Sequence, residues 1–194
     1  MHYTRIAAFF LGAWLLGSVF QAFVATRNFR VVDEALQAPP AQAGTMFQKL
    51  GPDSSRQLLR YLAGEENRQM FETWELAQLA IGAVLTALLL FGVEKRLLAG
   101  LAGAMLALTL FQHLKLTPDL VWLGRSIDFQ PANAEAQMHR QFWRLHGIYG
   151  GIELVKMLLA LTIAGFLFAM RRRRSTRRIE LDPVDYINQK KVSR

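Results

Sequence analysis

A stretch in the last third of the sequence carries four side chains that could exchange protons, hold an ion or ligate a metal. His146, Tyr149, Glu153 and Lys156 follow one another at spacings of three and four residues, which places them on one face of an α-helix. The residues around them are mostly apolar. Ionisable groups in such surroundings are costly unless they pair or line a wet cavity. This face is therefore the first candidate for a functional site.

Two other apolar segments bring polar groups to the same region. Glu75 and Gln78 lie at the start of one segment, and Gln112 and His113 lie at the end of the next. Side chains of neighbouring helices would meet here, at one end of a bundle. We predict a cluster that binds an ion or a small polar ligand, made of Glu75, Gln78, Gln112, His146, Tyr149, Glu153 and Lys156. The competing interpretation is a hydrogen-bonded latch that only orients the helices, with the Glu153–Lys156 pair at its centre.

Histidines suggest a second kind of chemistry. His113 and His146 arrive at a similar depth on consecutive apolar segments, and two facing imidazoles can ligate a b-type haem in a redox subunit, for which quinone chemistry is an alternative. The competing interpretation is that both are hydrogen-bonded packing residues. No cysteine is present, so thiolate metal sites and cysteine nucleophiles are excluded. The motifs of common soluble enzymes, such as phosphate loops, HExxH and GxSxG, are missing too, which favours a protein that is not an enzyme.

The elements that must position these side chains are four long apolar segments. A segment of about 18 or more apolar residues can cross the roughly 30 Å hydrocarbon layer of a bilayer. The chain has 194 residues, 52% of them hydrophobic, and its charges crowd between and after these segments. We predict an all-α, membrane-embedded four-helix bundle. Its spans cover residues 6–26, 76–93, 97–114 and 145–170.

Basic residues give the predicted orientation. Arg5, the Lys95-Arg96 turn and the run Arg171 to Arg174 fall on one face of the bundle, and such residues are retained on the cytoplasmic side. We expect a multi-pass protein of the plasma (inner) membrane with both termini in the cytoplasm. The two long loops are then extracytoplasmic.

Each extracytoplasmic loop is predicted to contain a short interfacial helix. In the first loop the chain breaks at Pro39-Pro40 and at Gly51-Pro52, and a helix with one apolar side follows through residues 56–62. In the second loop, Thr117 is predicted to cap a helix that begins at Pro118. These helices would lie where the bundle meets the membrane surface.

Residues 171–194 are predicted to form a basic cytoplasmic tail. The tail has nine Lys and Arg against three Asp and Glu, which accounts for most of the net charge of +8. A basic run beside a span attracts anionic lipid, by about 1 kcal/mol per residue near the surface. We assign this role to Arg171, Arg172, Arg173 and Arg174. Nucleic acid is not expected, because the run lacks aromatic side chains on which bases could stack.

Three segments of the chain stand out together: FLGAWLLGSVFQAFVATRNFRVV, LTPDLVWLGR and FWRLHGIYGGIELVKMLLAL. In order and spacing they resemble the small four-helix membrane proteins of the transmembrane protein 205-like family, a family of unknown function. The resemblance implies a fold and a membrane location but no reaction. The long arginine-rich tail and the loop before the second span have no counterpart in that pattern. The positions that carry the resemblance are Trp14, Gly17, Pro118, Phe142, His146 and Gly147.

Three functions remain open from the sequence. The first is a structural or accessory subunit of a membrane assembly, whose partners are the bilayer, its anionic lipids and other membrane subunits. The second is a module that binds a small ligand or an ion through the polar cluster. The third is a haem or quinone redox subunit. We prefer the first, because Glu153 and Lys156 can neutralise each other without a ligand.

Overall fold

The computed structural model describes residues 2–130 and 136–180, with side chains through residue 170. Within these ranges every regular element is a helix, which confirms the predicted all-α class. Two π-helical segments, Leu88–Gly92 and Gln112–Leu116, extend α3 and join α4 to α5. The six α-helices are α1 (His2–Gln37), α2 (Ala41–Leu50), α3 (Pro52–Ala87), α4 (Arg96–Phe111), α5 (Thr117–Ile127) and α6 (Ala136–Glu180).

Four of the helical stretches are long and apolar enough to cross a membrane. They are His2–Gln37, Pro52–Gly92, Arg96–Ile127 and Ala136–Met170. Around the bundle, α1 packs on α3, α3 on α4, α4 on α6, and α6 on α1. A tight turn between α3 and α4 places Glu94 at φ 58°. We call this end of the bundle the turn end, and the opposite end, where α2 lies, the α2 end.

The helices are longer than the sequence pattern predicts. Most of the first predicted loop is helical, because α1 continues to Gln37 and α3 begins at Pro52. The breaks at Pro39-Pro40 and Gly51-Pro52 are confirmed, and Gly51 adopts φ 84°, which favours glycine. Residues 56–62 are helical, as predicted, but they belong to α3 and do not form a separate short helix. At 1.5 Å per residue, residues 52–75 extend α3 by about 36 Å beyond the predicted span.

Thr117 does not cap a new helix. The backbone at Leu116 is already helical, at φ −73° and ψ −42°, and no side chain caps α5. Residues 112–116 form a π-helical segment with a wider turn, so the chain passes from α4 into α5 without a break. The Thr117 hydroxyl is consequently free to bind a side chain on another helix.

The core of the bundle divides into an apolar half and a polar half. All the residues of the buried apolar cluster lie towards the turn end, on the four long helices. Polar side chains occupy the interior towards the α2 end, and the fully buried Trp14 marks the boundary. The apolar cluster consists of Ala7, Leu11, Trp14, Leu85, Leu89, Leu98, Ala99, Ala102, Met105, Ala160, Ile163 and Leu167.

An ion-pair cluster beyond the apolar part of α3 fixes α5 on that helix. Arg125 binds Glu65 through two hydrogen bonds, from Nε to Oε1 at 3.0 Å and from Nη2 to Oε2 at 2.9 Å. Arg68 also binds Glu65, and its Nη2 lies 2.7 Å from Oδ2 of Asp128. The hydrogen bonds from Arg125 and Arg68 lower the pKa of Glu65 to about 2. Arg68 lies so close over Gly124 that a Cβ there would approach its Nη2 to 2.8 Å.

Only some of the glycines on the long helices allow close packing. A Cβ on Gly17 would lie 2.0 Å from the Trp74 ring, and a Cβ on Gly82 would lie 3.0 Å from the Trp14 ring. In contrast, a Cβ on Gly12 would meet no atom within 4 Å. Glycine is therefore required where α1 and α3 interlock through indole rings, but not elsewhere on α1.

The two glycines of α1 give a matched pair of substitutions. Gly17→Ala is expected to lower the free energy of unfolding by about 1–3 kcal/mol, because the new methyl group displaces the Trp74 ring. Gly12→Ala should leave it unchanged or raise it by up to about 1 kcal/mol, since alanine favours the helix. SDS-induced unfolding in mixed micelles would measure both. Equal effects of the two substitutions would contradict the packing described here.

Candidate functional site

The side chain of Lys156 is the centre of the polar half. Lys156 is 0% exposed, yet it carries an ammonium group with three N–H donors. Its Nζ lies 2.6 Å from Oε1 of Glu153, 2.7 Å from Oε1 of Gln78 and 3.2 Å from Oγ1 of Thr109. The Trp14 ring lies 5.8 Å from Nζ, within cation–π range. The contacts with Gln78 and Thr109 are hydrogen bonds, and the contact with Glu153 is an ion pair.

Gln78 connects this ammonium group to the remaining helix. Its Nε2 donates to Oγ of Ser18 at 3.2 Å and to Oε2 of Glu153 at 3.4 Å. The Thr109 hydroxyl donates to the backbone oxygen of Met105 at 3.0 Å. The result is one network with members on α1, α3, α4 and α6. We call Ser18, Gln78, Thr109, Glu153 and Lys156 the lysine cluster.

A second network lies about one helical turn nearer the α2 end. Glu75 is 0% exposed. Its Oε1 accepts hydrogen bonds from the Thr117 hydroxyl at 2.5 Å and the Tyr149 hydroxyl at 2.9 Å. Its Oε2 lies 3.1 Å from Nδ1 of His113. The tautomer of His113 decides which of the two atoms donates in this contact. We call Glu75, Gln112, His113, Thr117 and Tyr149 the glutamate cluster.

The π-helical segment at Gln112–Leu116 builds much of the glutamate cluster. Gln112 donates from Nε2 to the backbone oxygen of Tyr149 at 3.3 Å, His113 reaches Glu75, and Thr117 follows directly after the segment. A π-helical turn holds more residues than an α-helical turn. We infer that the wider turn lets these three side chains, which span six positions, reach the same interior region.

The two clusters satisfy their buried charges internally. Ionised groups inside a low-dielectric interior are strongly unfavourable unless they are paired and hydrogen-bonded. Glu153 neutralises Lys156, while Glu75 accepts from two hydroxyl groups at Oε1 and is paired with His113 at Oε2. Among the described side chains, the buried polar atoms without a hydrogen-bond partner are Trp14 Nε1, Gln21 Nε2, Trp74 Nε1, Gln112 Oε1 and Glu153 Oε1, the last of which is in ion-pair contact with Lys156. In both clusters, therefore, most of the buried polar groups already have a partner within the protein.

Six of the seven residues predicted to form the cluster lie in these two networks. Glu75, Gln112 and Tyr149 belong to the glutamate cluster, and the others, Gln78, Glu153 and Lys156, belong to the lysine cluster. His146 is outside both. Its side chain is exposed, its ring stacks on Phe142 with centroids 5.9 Å apart, and it meets the Trp143 ring edge-on at 5.6 Å.

The hydroxyl groups of the two networks were not among the residues that the sequence predicted. Ser18, Thr109 and Thr117 supply a partner to each network, but isolated Ser and Thr are common in apolar helices because they can bond to their own backbone. The positions of two of these residues in the sequence could have indicated their role. Thr109 and Thr117 flank Gln112 and His113 at three and four residues, so helical phase alone places them beside the predicted site.

The histidine pair does not form a haem site. His113 is bound to Glu75, and His146 lies among aromatic side chains on an exposed surface. The interior beside His113 is filled by the Glu75 carboxylate and the Tyr149 phenol, whereas a haem needs an apolar slot between two facing imidazoles. The described residues include no group of three or more His, Asp or Glu side chains that could hold a metal ion. This arrangement does not fit a haem between the two histidines.

The basic residues assigned to lipid lie at the end of α6. The helix continues to Glu180, which is ten residues past the predicted span. The side chains of Arg171, Arg172, Arg173 and Arg174, and all of residues 181–194, lie outside the described part of the chain. Their assignment to anionic lipid stays a prediction.

Comparisons of the chain with protein-family models, curated proteins and solved structures found no match. Interpretation of the site therefore rests on the contacts between its own residues.

Replacement of Glu75 tests the glutamate cluster. Glu75→Leu is expected to cost at least about 3 kcal/mol of stability, because each buried donor left without a partner costs about 1–3 kcal/mol. Glu75→Gln should cost only about 1 kcal/mol, since its amide oxygen still accepts hydrogen bonds and His113 can change tautomer. Glu72→Leu, at an exposed position on the same helix, is the control. SDS-induced unfolding should rank the three variants, and a similar loss for Glu75→Gln and Glu75→Leu would refute the described hydrogen bonding.

Proposed function

We propose that this protein spans the plasma (inner) membrane four times, with both termini in the cytoplasm. The proposal is supported by the apolar surface of the long helices. Large apolar side chains are exposed along α1 and α6, where water contact would be unfavourable and lipid contact is not. Basic residues support the orientation, because Arg5, Lys95 and Arg96 lie at the turn end. The exposed apolar residues on the two helices include Phe9, Leu16, Phe20, Phe23, Leu154, Leu158, Leu161 and Phe168.

The α2 end is then extracytoplasmic. We assign α5 to the membrane interface, because the exposed Trp122 is of the residue type that favours this position. We assign α2 to the space beyond the interface, since α1 and α3 carry it well past the predicted spans. The paired ends of α1 and α3 are held together there by Asn67, which accepts from Nδ2 of Asn28 at 2.7 Å and donates to the Ala25 backbone oxygen at 3.1 Å.

We propose that the protein acts as a structural or accessory subunit of a membrane assembly, without chemistry of its own in the bundle interior. The observation that carries this proposal is the closure of the lysine cluster. The Lys156 ammonium group makes two hydrogen bonds and one ion pair, and its three partners lie on three helices. A group engaged in this way holds helices in register. It is not poised to transfer a proton to a substrate.

A surface for neighbouring subunits is offered by the long extracytoplasmic extension. Apolar side chains are exposed on α2 and on the first turns of α3, at Met46, Leu50, Leu58 and Leu62. Exposed apolar residues in a region that projects beyond the bilayer are typical of contacts with another protein. This surface is the part of the chain that we assign to the assembly.

Membership of the transmembrane protein 205-like family is part of the proposal. The residues that carry the resemblance include Trp14 and Gly17, and both take part in the packing of α1 on α3. Such residues would be needed by any protein that shares this bundle. The resemblance adds support for the fold and the membrane location only.

Single-cysteine labelling tests the membrane topology, and the natural chain has no cysteine to remove. Gln48 and Lys95 are exposed at the two ends of the bundle. In spheroplasts, Gln48→Cys should react with a membrane-impermeant maleimide, whereas Lys95→Cys should react only after the membrane is permeabilised. The reverse pattern would invert the topology, and labelling of both positions without permeabilisation would argue against a membrane-spanning bundle.

Substitution of the buried ion pair tests the structural role. Lys156→Leu alone should cost about 3–5 kcal/mol, because Glu153 is left as an uncompensated charge. Lys156→Leu combined with Glu153→Leu should recover most of this loss, since an apolar pair can replace a buried ion pair. Unfolding in SDS micelles measures the cycle, and co-purification of membrane proteins measures assembly. A stable double variant that no longer assembles would show that the pair does more than hold the helices.

A further inference from the structure

Two arginines near the start of α6 carry charges that nothing else in the described chain neutralises. Arg140 and Arg144 are exposed, and neither forms a hydrogen bond or an ion pair with another described residue. They are four residues apart, so they lie on one face of α6, separated by about 6 Å along its axis. Arg144 directly precedes the predicted fourth span, and Arg140 lies one turn further out. Two positive charges are therefore concentrated where the proposed span enters the membrane.

Most other basic side chains at the α2 end are neutralised within the protein. The pairs are Arg27–Glu34, Arg56–Asp33, Arg68–Glu65, Arg125–Glu65 and Lys115–Asp119. Arg30 and Lys49 form no such pair among the described residues, but they lie on separate helices. Lys and Arg beside a span are enriched on the cytoplasmic side. Two unpaired arginines together at the proposed extracytoplasmic end thus indicate an anionic partner outside the chain.

The direction of α6 allows both guanidinium groups to reach the headgroups of the lipids. The helix runs from the α2 end to the turn end, because Tyr149 belongs to the glutamate cluster and Leu167 to the apolar cluster. Side chains on a helix lean towards its N-terminus, which here is the direction out of the hydrocarbon. Long arginine side chains extend their charged ends further in this direction while their methylene groups stay in apolar surroundings. We therefore expect both charges at the depth of the lipid phosphates.

The surface beside and below the two arginines suits the rest of a lipid molecule. Trp143 precedes Arg144 and is 64% exposed, and an indole ring favours the boundary between headgroups and hydrocarbon. Ile148 lies one turn below Arg144, and Val155 lies two turns further on the same face. These two side chains are 42% and 47% exposed. A cationic surface at headgroup depth is thus continuous with an apolar surface for an acyl chain.

We propose that Arg140 and Arg144 bind the phosphate group of an anionic phospholipid in the extracytoplasmic leaflet. The proposal rests on the membrane location proposed above. A guanidinium group can donate two parallel hydrogen bonds to two oxygens of one phosphate. Trp143 contacts the lipid below its phosphate, and Ile148 contacts an acyl chain. This site is separate from the tail arginines, which follow the opposite end of the fourth span.

A second copy of the chain is the competing occupant of this face. Two copies in one membrane have the same orientation, and a two-fold symmetric contact uses the same surface on both. Such a contact through this face would bring Arg140 and Arg144 of both copies together. Like charges would then repel each other without a counter-ion. The charge of the face therefore complements a lipid phosphate better than it complements a second copy.

Brominated lipids test the site with the full chain in phosphatidylcholine nanodiscs, because bromine quenches indole fluorescence at short range. The difference between each protein and the same protein with Trp143→Phe isolates the Trp143 signal. Dibrominated phosphatidylglycerol should match the quenching by dibrominated phosphatidylcholine at a concentration at least about fivefold lower. This preference for the anionic lipid should disappear in the double variant Arg140→Gln with Arg144→Gln.

Two further double variants separate a site from a general effect of charge. Arg30→Gln with Lys49→Gln is the matched control, because it removes the same charge from two other exposed residues at the α2 end. This control should keep the full preference. Arg140→Lys with Arg144→Lys should keep only part of it, since lysine retains the charge but cannot bond to two phosphate oxygens in parallel.

The outcomes separate this inference from the proposed function. Equal quenching by the two brominated lipids in the natural protein, or equal losses in the two glutamine double variants, would overturn the lipid site. Inorganic phosphate that removes the preference at constant ionic strength would overturn it in favour of a site for free phosphate. A dimer that shows no lipid preference and becomes a monomer in the Arg140→Gln, Arg144→Gln variant would assign the face to a second copy. Cysteine labelling reports the membrane topology independently, so failure of the lipid site leaves that proposal intact.

Discussion

The buried ammonium group of Lys156 constrains the whole bundle. An isolated charge of this kind is too costly to retain in an apolar interior, and the pairing with Glu153 offsets only part of that cost. The remaining donors need acceptors from other helices, which Gln78 and Thr109 supply. Gln78 in turn bonds to Ser18. A shift or rotation of one long helix would break a hydrogen bond to this group, so the lysine cluster selects one packing among several that apolar contacts alone would permit.

The apolar half of the bundle supplies the complementary constraint. Leucine and alanine side chains pack there with little directional preference. The position of α1 is instead set by the contacts of two tryptophan rings with glycine residues on the neighbouring helix. Trp74 lies against Gly17, and Trp14 lies against Gly82 beneath the Lys156 ammonium group. The indole of Trp14 therefore contacts both halves. Because Trp14 takes part in both kinds of contact, a single arrangement of the helices must satisfy the apolar packing and the polar pairing together.

The sequence predicts the long helices well because membrane-length apolar segments are an unambiguous pattern. It also predicts the partners Glu153 and Lys156, since their spacing places them on one helix face. It does not predict that α1 and α3 continue through most of the first loop, because charged residues such as Glu65 and Arg68 are typical of both loops and exposed helices. The π-helical turn before Thr117 is missed for another reason: no residue pattern distinguishes a wide turn from a regular one, although it decides which side chains face Glu75.

Glu153 belongs to the lysine cluster through both of its carboxylate oxygens. Oε1 lies 2.6 Å from the Lys156 ammonium group, and Oε2 receives Gln78 at 3.4 Å. Loss of the Glu153 charge would leave a buried ammonium group without its counter-ion. Because Lys156 is also bonded to Gln78 on α3 and Thr109 on α4, the effect would not be confined to α6. The lysine cluster therefore couples the long helices, so that a change in one buried charge alters the packing between several of them.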